Sequence, residues 1–398
     1  MTLQRLLWTT ALVTGWSTGA HAGYTYTKIA DVSGGLVPGV VALNNAGEEV
    51  FRVASPSGVN SIIAGSGGPT TTIATTGATF RSLSDPGLNN SGTIVFSAVL
   101  TNGGAGIFEA TAGGGITQIL STAGSAFTGF SAASINAAGT VAFVGTLASG
   151  GQGVYTLSNG ALATVDTLAA GQGRFSGSNL GINASGTVAF VVNSPSFVGQ
   201  AIYTGSGGAL TTIATAGGAF TGLNVFNPSI NAAGRVAFEA ELANRTTGVF
   251  TGSGGATTTI ATSADPYIGQ FSNPSINAAG TVAFADVVKV GVGPGAGIFT
   301  GPDPIGNALL RTNTPFDGST LVQFNFDAFD LNDSGSFAFE ASLANLTSGY
   351  YRADFSAAVP EPSSVVLLGV GALISAGVVA RRSRWSRIGR RDGSPPAR

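Results

Sequence analysis

The pattern Asn-x-x-Gly-x-x-x-Phe recurs seven times along the 398 residues of this chain and constrains its fold more than any other feature. Its asparagines are Asn44, Asn89, Asn136, Asn183, Asn231, Asn277 and Asn332, spaced 45, 47, 47, 48, 46 and 55 residues apart. Gly stands three residues on, as Gly47, Gly92, Gly139, Gly186, Gly234, Gly280 and Gly335. Phe stands seven on, from Phe51 to Phe339. A repeat of this length is one supersecondary unit that buries its apolar faces only against its neighbours.

Each copy reads as strands. Leu or Ile precedes every Asn, and Val, Ala and Phe follow the Gly, so Asn-x-x-Gly is a hairpin turn between two β-rich runs. Asn bonds its own backbone two residues on, and Gly accepts the positive φ that closes such a turn. The sixth residue after each Asn is always Ala or Val. A strand apolar on both faces belongs to a sheet covered on both sides, the small face nesting against the Phe face of the next sheet. A third strand follows, as in Gly248-Val249-Phe250, and a Thr-rich fourth, as in Thr259-Ile260-Ala261. The Gly-Ser-Gly-Gly between them is a hairpin loop, since a strand follows it and no Lys-Ser/Thr completes a phosphate cradle. Four short strands in this span make one propeller blade.

The ends of the array predict closure. The last copy stops after its third strand, Gly349-Tyr350-Tyr351-Arg352, whereas an orphan strand, Tyr26 to Asp31, precedes the first. Ile29 lies 15 residues before Asn44 and Ile73 lies 16 before Asn89, so the orphan has the spacing of a fourth strand. An all-β, seven-bladed propeller closed by the N-terminal strand is the expected fold; an open β-solenoid, which would need end caps, is the alternative. The repeat resembles the tandem Asn-x-x-Gly-x-x-Ala-Phe repeats of surface proteins with C-terminal anchors, a likeness that implies fold and location only.

Composition narrows the chemistry. There is no Cys, and the single His, His21, falls in a segment expected to be removed, so thiol and imidazole catalysis and zinc sites are excluded from residues 23–358. Residues 23–359 hold 9 basic and 17 acidic side chains, a balance of 9 − 17 = −8, which argues against a nucleic-acid partner.

Both termini read as addresses. Residues 1–22 fit a secretory signal peptide, with Arg5, an apolar run from Leu6, and Ala20-His21-Ala22 before the cut, so the Sec translocon and signal peptidase are expected partners. Val359-Pro360-Glu361-Pro362 precedes an apolar segment, 365–380, followed by Arg381, Arg382, Arg384 and Arg387. A helix of that length spans about 24 Å, somewhat short of the ~30 Å bilayer core, and the arginines orient it C-terminus inward. These residues resemble the PEP-CTERM sorting signal of Gram-negative bacteria, here residues 359–387. The resemblance implies processing by an exosortase-type transpeptidase, transient anchoring in the inner membrane, and release to the cell surface or matrix. A basic tail, 388–398, extends beyond the usual end of such signals.

Chemistry inside the repeats rests on carboxylates. Asp327, Asp330 and Asp333 form the densest group, across the turn of the last copy. They are candidates for a binding site, for a Ca²⁺ loop or for a pair of glycosidase acids, although the spacing completes no Ca²⁺ loop and Asp is an ordinary turn residue. Glu239 and Glu241, two apart on one strand and so on one face, are expected on a solvated stretch or blade rim. The expectation is a non-enzymatic adhesion, scaffold or glycan-binding propeller, with no cofactor, facing an exopolysaccharide or envelope glycan. The alternative is a carboxylate-based polysaccharide hydrolase or lyase. Specificity should lie where the copies differ.

Overall fold

The computed structural model describes residues 23–32, 37–195, 200–223, 227–272, 274–289 and 295–356, and every regular element among them is a β-strand. The signal peptide (1–22), the sorting signal (359–387) with its apolar segment (365–380), and the basic tail (388–398) lie outside the described residues. The strands form seven small antiparallel sheets, the blades of one propeller. In the first blade Val37–Leu43, Glu49–Ala54, Asn60–Gly65 and Thr71–Thr75 pair in that order from the centre outwards.

The motif builds the hairpin between the first two strands. Asn44 Oδ1 accepts from the N–H groups of Ala46 (3.0 Å) and Glu48 (2.9 Å), and Gly47 N–H donates to the Asn44 carbonyl at 3.1 Å. The motif glycines have φ between +75° and +83°, the left-handed region where a side chain is strained.

The asparagine also does something that turn chemistry does not predict. Its Nδ2 donates to the backbone carbonyl of the equivalent Asn in the next blade. The chain of bonds runs Asn44→Asn89 (3.2 Å), Asn89→Asn136 (3.3 Å), Asn136→Asn183 (2.9 Å) and Asn183→Asn231 (3.3 Å). It continues Asn231→Asn277 (3.2 Å) and Asn277→Asn332 (3.3 Å), then returns from Asn332 to Asn44 at 3.1 Å. All seven asparagines are buried, so each turn is also a joint of a closed circular network.

Between blades the packing is large against small. Phe220, Phe238 and Phe250 of the fifth blade lie on Ala189, Val191 and Ile202 of the fourth. Phe284 and Phe299 of the sixth lie likewise on Ala237 and Val249 of the fifth. The Ala or Val six residues after each Asn is therefore a socket for the next blade's aromatics, as the two-sided apolar pattern implied.

Ring closure follows the orphan-strand reading. Gly23–Asp31 is the outer strand of the last sheet, beside Ser348–Ser356, and Val32 N–H donates to the Ser348 carbonyl at 2.9 Å. Ile29 is buried there with Val41, Phe51 and Tyr350, and Phe51 stacks on Tyr350 with centroids 3.8 Å apart. The 55-residue final spacing also has a partial cause: Ser319–Asn325 is the usual inner strand of the last sheet, and the additional short strand Pro315–Phe316 pairs with it.

Two outcomes are expected. Asn183→Ala removes the bonds of Asn183 Oδ1 to Ser185 and Thr187 and of Nδ2 to Asn231, and should lower the unfolding free energy by roughly 2–4 kcal/mol in denaturant titration. Ile29→Asp puts an unpaired charge into the closing seam, and thermal unfolding should then lose cooperativity as the first and last blades separate.

Candidate functional site

The inner strands and their turns surround the propeller axis. The Leu or Ile before each Asn forms an apolar waist: Leu88, Ile135 and Ile182 line cavities on both sides of it. On the turn side is a mouth of about 190 Å³, lined by the residue after the motif Asn in six of the seven copies, the first excepted. That residue is Asn45, Asn90 or Asp333 on three adjacent blades and Ala on the other four. On the far side lies a cavity of about 160 Å³, lined by residues such as Asn179, Leu180, Ser275 and Phe329.

The three candidate acids separate. Only Asp333 lines the mouth. Its Oδ1 accepts from Ala278 N–H (2.8 Å), its Oδ2 from Asn45 Nδ2 (2.9 Å), and its N–H donates to Asn45 Oδ1 (3.0 Å). It ties the last blade to both neighbours. Asp330 is buried, and its Oδ2 accepts from Asp327 N–H. Asp327 in turn accepts at Oδ1 from Ala328 N–H (2.7 Å). Among the described residues no three Asp, Glu, His or Cys come together in a way that could hold a metal ion. Glu239 departs from expectation too: it is only 8% exposed, buried in Val236–Leu242 and paired in register with buried Val249, not on a solvated rim.

Sequence reasoning passed over a second acid beside Asp330. Glu49 is fully buried at the start of the Phe51 strand, and neither of its carboxyl oxygens, nor Asp330 Oδ1, has a hydrogen-bond partner among the described residues. Burial pushes Glu49 up to about 8, with Arg352 opposing the shift and Asp354 adding to it. Burial likewise holds Asp330 well above the carboxylate range, helped by the charges of Asp327 and Glu49 and opposed by the Asp327 amide. Both are acids whose charged forms burial disfavours, at the seam where the ring closes. The signal for them was legible as broken repeat positions. Five residues after Asn, where Glu49 stands, the other copies carry Ile94, Val141, Val188, Val236, Val282 and Phe337. Two residues before Asn, where Asp330 stands, they carry only Ala, Gly or Ser. Ser229 and Ser275 at that place accept from the next blade's Ile276 and Leu331 N–H groups (3.1 and 3.2 Å).

The seam, waist and mouth lie in the part of the chain that sequence comparison matches to a family. Residues 27–173 and 169–348 match the model of the Family of unknown function (DUF7453), together most of the chain. The chain belongs to that family. Residues 358–384 of this DUF7453 member match the PEP-CTERM protein-sorting motif, which implies an exported, exosortase-sorted protein with a transient membrane anchor. No curated protein matches the chain. Among solved structures, it is similar to a chain of the mitotic checkpoint complex at 11% identity, covering 88% of this chain and 98% of that one, with a TM-score of 0.47. It is also similar to the BP39L lectin from Burkholderia pseudomallei (12% identity; 83% and 99% covered; TM-score 0.41). A further match is the Aleuria aurantia lectin AAL (8% identity; 80% and 94% covered; TM-score 0.41).

The seam has a pH signature. An acid whose folded pKa is raised contributes stability that is fully present below its unfolded pKa, near 4.5, and is lost as pH rises through the folded value, about 8. The wild-type chain should therefore lose stability across that window. Glu49→Gln, which keeps the shape without the ionisation, should flatten the curve and leave the variant more stable than wild type at pH 9 in urea titrations. A wild-type curve that is already flat would remove Glu49 as the cause.

Proposed function

We propose that the chain is an exported, non-enzymatic propeller that binds polysaccharide as a scaffold or adhesion module of the cell envelope or matrix. In this reading residues 1–22 are removed by signal peptidase after Sec export and 23–358 form the binding ring. Residues 359–387 are the signal processed by an exosortase-type transpeptidase, with the short basic tail 388–398 beyond it. The ring is then a member of the Asn-x-x-Gly-x-x-Ala-Phe class of surface repeats.

The observation that carries the binding half is a groove of about 310 Å³ between the second and third blades. Hydroxyls of Ser82, Ser97 and Thr128 and the half-buried ring of Phe130 line it. Hydroxyls beside an aromatic face suit a sugar, which presents polar edges and apolar C–H faces. The acids contribute to the same reading from the other direction. Asp333 is occupied in joining blades, and Asp330 is buried against the backbone of Asp327.

The test is a polysaccharide array incubated with the full chain in detergent micelles and read for both retention and turnover. Retention on at least one polysaccharide is expected, weakened about tenfold by Phe130→Ala. Turnover abolished by changing Asp327, Asp330 and Asp333 to Ala would instead establish the hydrolase or lyase reading.

A further inference from the structure

Below the Leu/Ile waist, the axial cavity combines three features that the ring's own stability does not require. Asn179 on its wall is 3% exposed, and its Oδ1 has no hydrogen-bond partner among the described residues. A buried amide oxygen left without a donor is costly, and native proteins seldom carry one without a reason. Phe329 also lines the cavity and is only half buried. It belongs to the seventh blade and Asn179 to the fourth, three blades apart in a ring of seven, so the aromatic and the amide stand on nearly opposite walls. Thirdly, the cavity has a volume of about 160 Å³, comparable to apolar cavities of about 150 Å³ that hold one six-membered ring.

We propose that this cavity is a binding site for a single pyranose ring, a free aldopyranose or the terminal sugar of a glycan. The inference rests on the polysaccharide-binding reading and adds to its groove between blades a second, axial site. A C–H face of the sugar packs on Phe329 and one hydroxyl donates to Asn179 Oδ1. Ser134 and Ser275 line the same cavity. The waist sets the specificity: Leu88, Ile135 and Ile182 stand between the cavity and the turn-side mouth, so a glycan enters by its end and an internal sugar is excluded. Repeat comparison marks Phe329 as a departure: three residues before the motif Asn, it takes the place of Pro86, Ala133 and Pro228. Four before it, Asn179 shares its residue type with Asn227, whose Oδ1 accepts from Asn179 N–H at 3.1 Å, whereas Asn179 Oδ1 has no such donor.

Isothermal titration of the full chain in detergent with a panel of aldopyranoses and their methyl glycosides tests the assignment. Saturable binding of at least one aldopyranose is expected, with Asn179→Ala and Phe329→Ala each weakening it about tenfold. Ile182→Phe, which fills the cavity without removing a hydrogen bond, should weaken it as well, and covers the case in which Asn179→Ala fails to fold. Binding of methyl glycosides assigns the terminal sugar of a glycan; binding of the free sugar alone assigns a monosaccharide. Polysaccharide retention without any aldopyranose binding, or with affinity unchanged in the folded cavity variants, overturns the axial site and leaves the broader reading standing. No retention on any polysaccharide overturns both.

Discussion

The architecture depends on one hydrogen bond made seven times, from an asparagine Nδ2 to the backbone carbonyl of the next blade's asparagine. The same side chain that closes a hairpin through its oxygen fastens that hairpin to its neighbour through its nitrogen. The bonds form a circle, so breaking any one opens a buried donor and a buried carbonyl together. A chain without cysteines obtains its circumferential constraint this way, with aromatic-on-alanine packing filling the blades behind it.

The closing seam is the exception to the repeat. Elsewhere two apolar faces meet; there the outer strand comes from the N-terminus, Tyr350 stacks on Phe51, and the buried acids Glu49 and Asp330 replace an apolar and a small residue. Asp333 adds side-chain bonds to the blades on either side. A seam joined by the two ends of the chain lacks the covalent hairpin that accompanies neighbouring blades elsewhere, and extra polar contacts collect there. That is the physical reason for the acids in the last copy, which in the sequence look like a candidate active site.

Much of the architecture was readable before the structure. The blade count, the order of strands within a blade, the small-against-large packing and the role of the Tyr26–Asp31 segment all follow from spacing and period-two patterning, because each depends on local geometry. Glu239 was misplaced for a related reason. Alternation assigns a residue to a face, yet in a sheet covered on both sides neither face is solvent. The candidate acids could not be placed either: Asp333 bonds to the blades on both sides, whereas Asp330 is buried and accepts from the Asp327 amide of its own segment.

By itself the sequence determined the repeating unit, the closed ring and the C-terminal sorting motif, because turn chemistry, strand periodicity and short motifs act over a few residues. Only the tertiary structure decided which partner each side chain meets across a blade boundary. It turned Asn44 and its six equivalents from turn residues into the joints of the ring, made Asp333 a tie between blades, and set Asn179 across the axis from Phe329. Those contacts join residues about one repeat or more apart in the chain, and distance in space between them is fixed by how the blades pack, which no local pattern encodes.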